Sequence, residues 1–244
     1  VHGISQVMDQ DVAPSAAVAV GSAFAGMASA TGISTHHNTL CLIDSLGSFK
    51  KAVFTTTNYD VLANPISVQT FYPTKLASVF YSGQISYASG DNGRVWQRAP
   101  LSWSPTVTNQ RTDINKLVCY SNQLGYMACK NGILYKVNLN PGGASFLLTP
   151  IQTNTTLNLY DIALSSTEIY VSGDKGLVLY GTNIQAMPVM QHATVLGSFA
   201  LKAIALSPAA GAIALGTQGH VQWNIQTTSG KNNQVFVPTM KDVH

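Results

Sequence analysis

Thirteen lysines and arginines, ten acids and six histidines make up the side-chain charge of this 244-residue chain, so any chemistry falls to few groups. The acids are the natural place to begin, because glycoside hydrolysis needs a pair of carboxylates at a fixed separation, one as acid and one as base or nucleophile. Asp91 and Asp174 stand in glycine-flanked turn segments, which leaves Asp44, Asp60, Asp113 and Asp161 as candidates. Asp161 draws most interest: Tyr160-Asp161-Ile162 lies inside an apolar run, where a carboxylate needs a partner. Trp103 would supply a stacking face for a sugar ring. The plainer reading of Asp161 is a strand-edge acid that caps a neighbouring loop.

Other chemistries find less material. There is no G-x-S-x-G elbow, no phosphate loop ending in Lys-Ser/Thr and no H-E-x-x-H. His36-His37 is the only histidine cluster, and adjacent residues of a strand point to opposite faces, which suits shared ligation of a metal poorly. No C-x-x-C spacing suggests a metal site either, so neither metal nor cofactor is expected. Cys119 and Cys129 lie on two apolar runs joined by Ser121-Asn122-Gln123. They face each other across a hairpin as a disulfide, or are two small buried side chains. With Cys41 the count is odd, so a fully paired framework is excluded.

Charged residues are only 9% of the chain, against roughly 25% in an ordinary soluble domain. The polar surface must come from Ser, Thr, Asn and Gln, which suits an extracytoplasmic location: periplasmic, envelope-associated, secreted or in a virion. A net charge of +3 without a basic face argues against nucleic acid. The uncharged stretch from Pro14 to Ile33 is mostly Ala, Gly and Ser and follows Asp9 and Asp11, so it reads as mature protein that does not span a membrane. Asn154-Thr155-Thr156 is a glycosylation sequon, meaningful only in a eukaryotic secretory route.

The elements that must position these residues repeat along the chain. Turn glycines recur at Gly47, Gly93, Gly132, Gly176 and Gly219, with spacings of 46, 39, 44 and 43 residues. That is the length of one four-stranded propeller blade. Two short apolar strands precede each turn: Leu76–Tyr81 and Ile85–Ala88, Ile114–Tyr120 and Gly125–Cys129, Leu157–Leu164 and Glu168–Val171, Leu201–Leu206 and Ala212–Leu215. A third strand follows, at Arg94–Gln97, Ile133–Val137, Leu177–Tyr180 and His220–Ile225, then a variable fourth at Thr106–Thr108, Ser145–Leu148, Val189–Val195 and Val235–Val237. The first copy draws its strands from Ala16–Ala30, Thr39–Ile43, Phe49–Phe54 and Ile66–Phe71. The expectation is an all-β protein, one β-propeller domain over residues 1–244 with five four-stranded blades. Each turn glycine takes positive φ, and the turn aspartate accepts hydrogen bonds from the backbone N–H groups of its own turn.

At two turns the residues resemble a known pattern. Ser89-x-Asp91-x-Gly93-x-x-Trp96 resembles the Asp-box of sialidase-type propellers, and Ser172-x-Asp174-x-Gly176-x-x-Leu179 resembles it with Leu for Trp. The Gly-x-x-Gly-x-Val/Ile phrasing is similar to the blades of Ycf48/Hcf136-like photosystem II assembly factors. Lys130 and Thr217 replace the aspartate in two copies, and Cys129 replaces a glycine, so those turns are expected to lose the carboxylate cap. The resemblance implies that Asp91 and Asp174 hold hairpins away from any central site, with Trp96 packing between blades. It also implies what a sialidase would need: three convergent arginines and a Tyr–Glu pair. Arg94, Arg98 and Arg111 cluster on one blade and Glu168 is the only glutamate, so that activity is not expected.

Taken together, these residues point to a non-catalytic propeller scaffold that binds other protein subunits, as an assembly factor or as a fixed component of an envelope or virion complex. The rival is a carbohydrate-binding propeller or glycosidase, with a glycan as ligand and Asp161 and Trp103 at its site.

Overall fold

Short runs rich in β-branched and aromatic residues, cut every six to eight residues by Gly, Asn and Ser, have no length for a helix and pair with their sequence neighbours instead. The structure, a computed structural model, describes residues 30–36, 39–44, 48–53, 66–70, 75–81, 86–98, 103–106, 108–139, 146–193, 198–207, 211–217, 220–225 and 234–236. These form five four-stranded antiparallel sheets, each built from four strands consecutive in the chain. The first sheet holds β1 (Ala30–His36), β2 (Thr39–Asp44), β3 (Ser48–Val53) and β4 (Ile66–Thr70). The second holds β5 (Leu76–Tyr81), β6 (Ser86–Gly90), β7 (Val95–Arg98) and β8 (Trp103–Thr106). The third holds β9 (Ile114–Cys119), β10 (Leu124–Cys129), β11 (Leu134–Asn138) and β12 (Leu147–Ile151). The fourth holds β13 (Leu159–Leu164), β14 (Glu168–Gly173), β15 (Val178–Thr182) and β16 (Gln191–His192). The fifth holds β17 (Leu201–Ser207), β18 (Gly211–Gly216), β19 (Val221–Ile225) and β20 (Gln234–Phe236).

The chain divides into two compact units, residues 1–117 and 118–244, with the boundary inside β9. In the first unit, Cys41, Ile43 and Phe49 of the first sheet pack on Leu76, Val79 and Ala88 of the second. In the second unit, Tyr126, Ala128 and Leu134 of the third sheet meet Ile162, Ile169 and Val171 of the fourth. The opposite face of the fourth sheet, Ala163, Tyr170 and Val178, meets Leu201, Ile204, Ala212 and Ala214 of the fifth. A sheet buried on both faces reads as a continuous apolar run rather than an alternating one. Accordingly β10 is buried at five of its six positions and β14 likewise.

Two strand expectations are corrected. The first strand of the first sheet is Ala30–His36, not Ala16–Ala30. Thr31, Ile33 and Thr35 give it β-branched residues at alternate positions, which the Ala- and Gly-rich segment lacks. Residues 16–29 lie outside the described residues, as do Gly47 and Gly219. Two fourth strands are shifted from the expected ranges, to Trp103–Thr106 and Leu147–Ile151, and each contains a proline, Pro105 and Pro150. Both are outermost in their sheets, where a proline whose missing N–H would point away from the ladder is tolerated. They occupy one register position, Pro105 opposite Trp96 and Pro150 opposite Tyr135, each three residues past the turn glycine. Among the described residues no helix is long and apolar enough to cross a membrane.

Candidate functional site

The turn glycines take the conformation expected of them. Gly93, Gly132 and Gly176 have φ of 68°, 72° and 71°, and each follows a residue already at positive φ: Asn92 (51°), Asn131 (59°) and Lys175 (54°). A β-carbon on Gly132 would lie 2.0 Å from the Thr155 carbonyl oxygen, and one on Gly93 would lie 2.1 Å from that of Gln110. So the glycines answer two demands at once, a left-handed backbone and close approach of the loop that leads to the next sheet. That loop carries a repeated clamp. Thr108 Oγ1 donates to the Gly93 carbonyl at 2.7 Å, and Thr153 Oγ1 donates to that of Gly132 at 2.6 Å, both buried. The residues after them, Asn109 and Asn154, both have φ of 54°.

The carboxylates do something other than cap their own turns. The Asn92 N–H donates to Asp113 Oδ1 at 2.9 Å, and Asp91 Oδ1 has no hydrogen-bond partner. Likewise the Asn131 N–H donates to Asn158 Oδ1 at 3.1 Å. Asp174 accepts from Tyr160 Oη at 2.7 Å and from Asn158 Nδ2 at 2.9 Å. Asn158 therefore links the turn of the third sheet to that of the fourth. The turn that carries Lys130 keeps its fold regardless: Cys129 N–H donates to the Ile133 carbonyl at 2.9 Å, as Gly90 does to Arg94 and Gly173 to Leu177. With Lys130 in place of the aspartate this turn has no carboxylate of its own, and backbone bonds and glycine make it.

Asp161 sits at a bulge in β13, between Leu159 and Asp161. Its Oδ1 accepts the Ile162 N–H and its Oδ2 accepts the Ile204 N–H of β17, both at 2.9 Å. Ser78, at the same bulge position of β5, holds Leu117 the same way: its hydroxyl accepts the Leu117 N–H at 3.1 Å and lies 3.4 Å from the Leu117 carbonyl. The two side chains are latches between the first strands of successive sheets. Trp103 packs edge-on to Phe49 at 4.9 Å and 67°, and with Trp96 it lies against the core between the first two sheets. Asp161 and Trp103 belong to different units.

A group of polar side chains gathers near Asp174. Lys202 Nζ stands 3.2 Å from the centre of the Tyr160 ring. Partial burial lowers the lysine pKa below its usual value, with Asp174 opposing. Burial first, then the bond to Asp174, raises the pKa of the Tyr160 phenol. A raised phenol is a poor nucleophile, and both Asp174 oxygens already accept hydrogen bonds.

No disulfide joins the three cysteines. Cys119 is beside the hairpin turn, across from Gly125, whereas Cys129 ends β10 four residues further on, about 13 Å at strand spacing. They do not face each other, and burial pushes the Cys119 thiol up. Among the described residues no three His, Cys, Asp or Glu side chains gather as a metal site.

No family model matches the sequence, and no curated protein does. By structure the chain resembles a four-bladed β-propeller. It is similar to the computationally designed Ika8 protein at a TM-score of 0.58 and 12% identity, over 80% of this chain and 58% of that one. The chain thus spans less than two thirds of the length of that protein. The five-blade expectation is thus corrected to a propeller likeness of four blades. Some 1107 solved chains share such a likeness, which therefore speaks for the fold alone.

The clamp threonines, the bridging Asn158 and the paired prolines escaped the sequence reading. A signal existed: Thr108-Asn109 and Thr153-Asn154 lie 45 residues apart, the blade period, and each precedes its first strand by six residues.

Proposed function

We propose that this protein is a non-catalytic propeller scaffold whose role is to bind other protein subunits, in an assembly or as a fixed part of a larger complex outside the cytoplasm. What carries this reading is the use made of Asp161, the carboxylate best placed for chemistry: both oxygens accept backbone N–H groups from strands. Asp174 is likewise committed to Tyr160 and Asn158, and Trp103 to Phe49. A surface with few charges is suited to burial against partners. The Asp-box resemblance, with its Ycf48/Hcf136-like relatives, agrees with a structural duty for the Asp174 turn, whose aspartate ties the hairpin to Tyr160 on the first strand of its sheet. Extracytoplasmic residence rests on composition alone.

Native pull-down from the source tests the proposal: a stable complex of defined protein subunits, together with no glycan retention, is the expected outcome. Clear hits on a glycan array and a glycoside panel that Trp103→Ala or Asp161→Ala abolishes without unfolding would overturn it in favour of the carbohydrate-binding reading.

A further inference from the structure

Two of the hairpin turns are tied to the sheet that follows by a side-chain oxygen standing just before that sheet's first strand. At Asn92 the oxygen belongs to a carboxylate, Asp113 Oδ1, and at Asn131 to an amide, Asn158 Oδ1. The turn at Lys175 repeats the backbone, with Lys175 at φ 54° and Gly176 at 71°. Its counterpart to Asp113 and Asn158 is Ala200: the Thr217 N–H donates to the Ala200 carbonyl at 2.9 Å, as the Asp174 N–H donates to that of Asn158 at 3.0 Å. Alanine has no side-chain oxygen to offer. Among the described residues the Lys175 N–H has no acceptor, although its neighbour Gly176 donates to the Phe199 carbonyl at 2.6 Å.

A second donor stands close by. Two residues past Ala200, Lys202 rests its Nζ 3.2 Å from the centre of the Tyr160 ring, and the Tyr160 hydroxyl donates to Asp174, the residue before Lys175. Lys202 is exposed, and among the described residues its ammonium has no oxygen acceptor. Asp174 does not serve as one, because its two oxygens accept from Tyr160 and Asn158. Lys175 is exposed as well, so two lysines flank one committed aspartate and leave positive charge beside an open N–H.

We propose that the Lys175 N–H and the Lys202 ammonium receive a carboxylate from an acidic side chain of a partner protein, in the place that Asp113 fills at the turn of the second sheet. The chain itself shows what this turn accepts, a carboxylate oxygen 2.9 Å from the equivalent N–H. An ionised oxygen suits these donors better than a neutral one, since both bonds become charge-assisted. The site rests on the scaffold reading and gives the chemistry of its partner.

Amide NMR of isotope-labelled, purified chain titrated with a tetraglutamate peptide, acetylated and amidated so that only its side chains are charged, tests the site. The Lys175 amide proton should move downfield to saturation, and added salt should weaken the binding. Lys202→Gln should weaken it about threefold, as for loss of one exposed charge pair. Ala200→Asn, which copies Asn158, should tie the Lys175 N–H within the chain and abolish the peptide-dependent shift, with a melting temperature no lower than before. A Lys175 amide that does not respond, a shift that tetraglutamine reproduces, or binding that survives Ala200→Asn overturns the proposal. Acetate that binds as tightly as the peptide overturns it too, in favour of a small free acid. All of these outcomes concern one amide of the purified chain, whereas failure of the scaffold reading shows as an absence of subunits in the pull-down.

Discussion

The turn at Lys130 and the turn at Asp174 share one backbone and differ in what their side chains hold. In both, a residue at positive φ precedes a glycine near 70°, and the residue before the turn donates to the carbonyl-bearing residue after it. At Asp174 the first side chain reaches outward, to Tyr160 and Asn158. The comparison separates two duties that a short motif merges. Glycine and the ladder shape the turn; the aspartate fastens the finished hairpin to the first strand of its sheet.

The separation can be attacked at its strongest point first. Gly132→Ala should cost more than about 2 kcal/mol, because strain at positive φ adds to a carbonyl contact at 2.0 Å, and a melting temperature that does not fall would refute the shape assignment. Asp174→Ala should cost about 1–2 kcal/mol by stranding two donors. Asp91→Ala should cost less, since Asp91 Oδ1 has no partner, and equal losses in chemical denaturation would contradict this. Thr153→Val, which keeps shape and deletes the hydroxyl, should cost about 1 kcal/mol.

Alkali offers a gentler probe. The Tyr160 pKa is raised in the folded state, so its contribution is intact below the usual tyrosine value of 10.0 and fades as pH climbs through the raised one. Tyr160→Phe should therefore flatten the stability profile above pH 10.0; a profile as steep as before would place the alkaline loss elsewhere. Smallest of all, Lys130→Ala should shift stability by no more than about 0.5 kcal/mol, as for an exposed surface side chain. A larger loss would mean that the two turns are not built alike.

Much of the fold could be read from spacing, and little of the site. Leu76–Tyr81 was marked to the residue, and Leu159–Leu164 and Leu201–Ser207 within two, because apolar period and flanking glycine are local signals. Positive φ at Gly93, Gly132 and Gly176 followed from the same turns. Two fourth strands, β8 and β12, were misplaced because an edge strand has one neighbour, needs few apolar residues and admits proline. Asp161 was noticed as a buried acid, yet its partner is a main-chain N–H 43 residues away, which no side-chain pattern encodes. Asn158 likewise reveals its bridging only when two turns from different repeats converge on it.

Pro105 and Pro150 bear on how this protein behaves in crowded solution. Strand edges invite strands of other molecules, and most proteins discourage them with charge. With 9% charged residues, this chain has little repulsion to spend on that task. A proline in the middle of an outermost strand withholds a donor that an incoming strand would need, and does so at any pH or ionic strength. The rim of these two sheets is thereby guarded by geometry, and salt that strips charge-based protection from other proteins should leave this one dispersed.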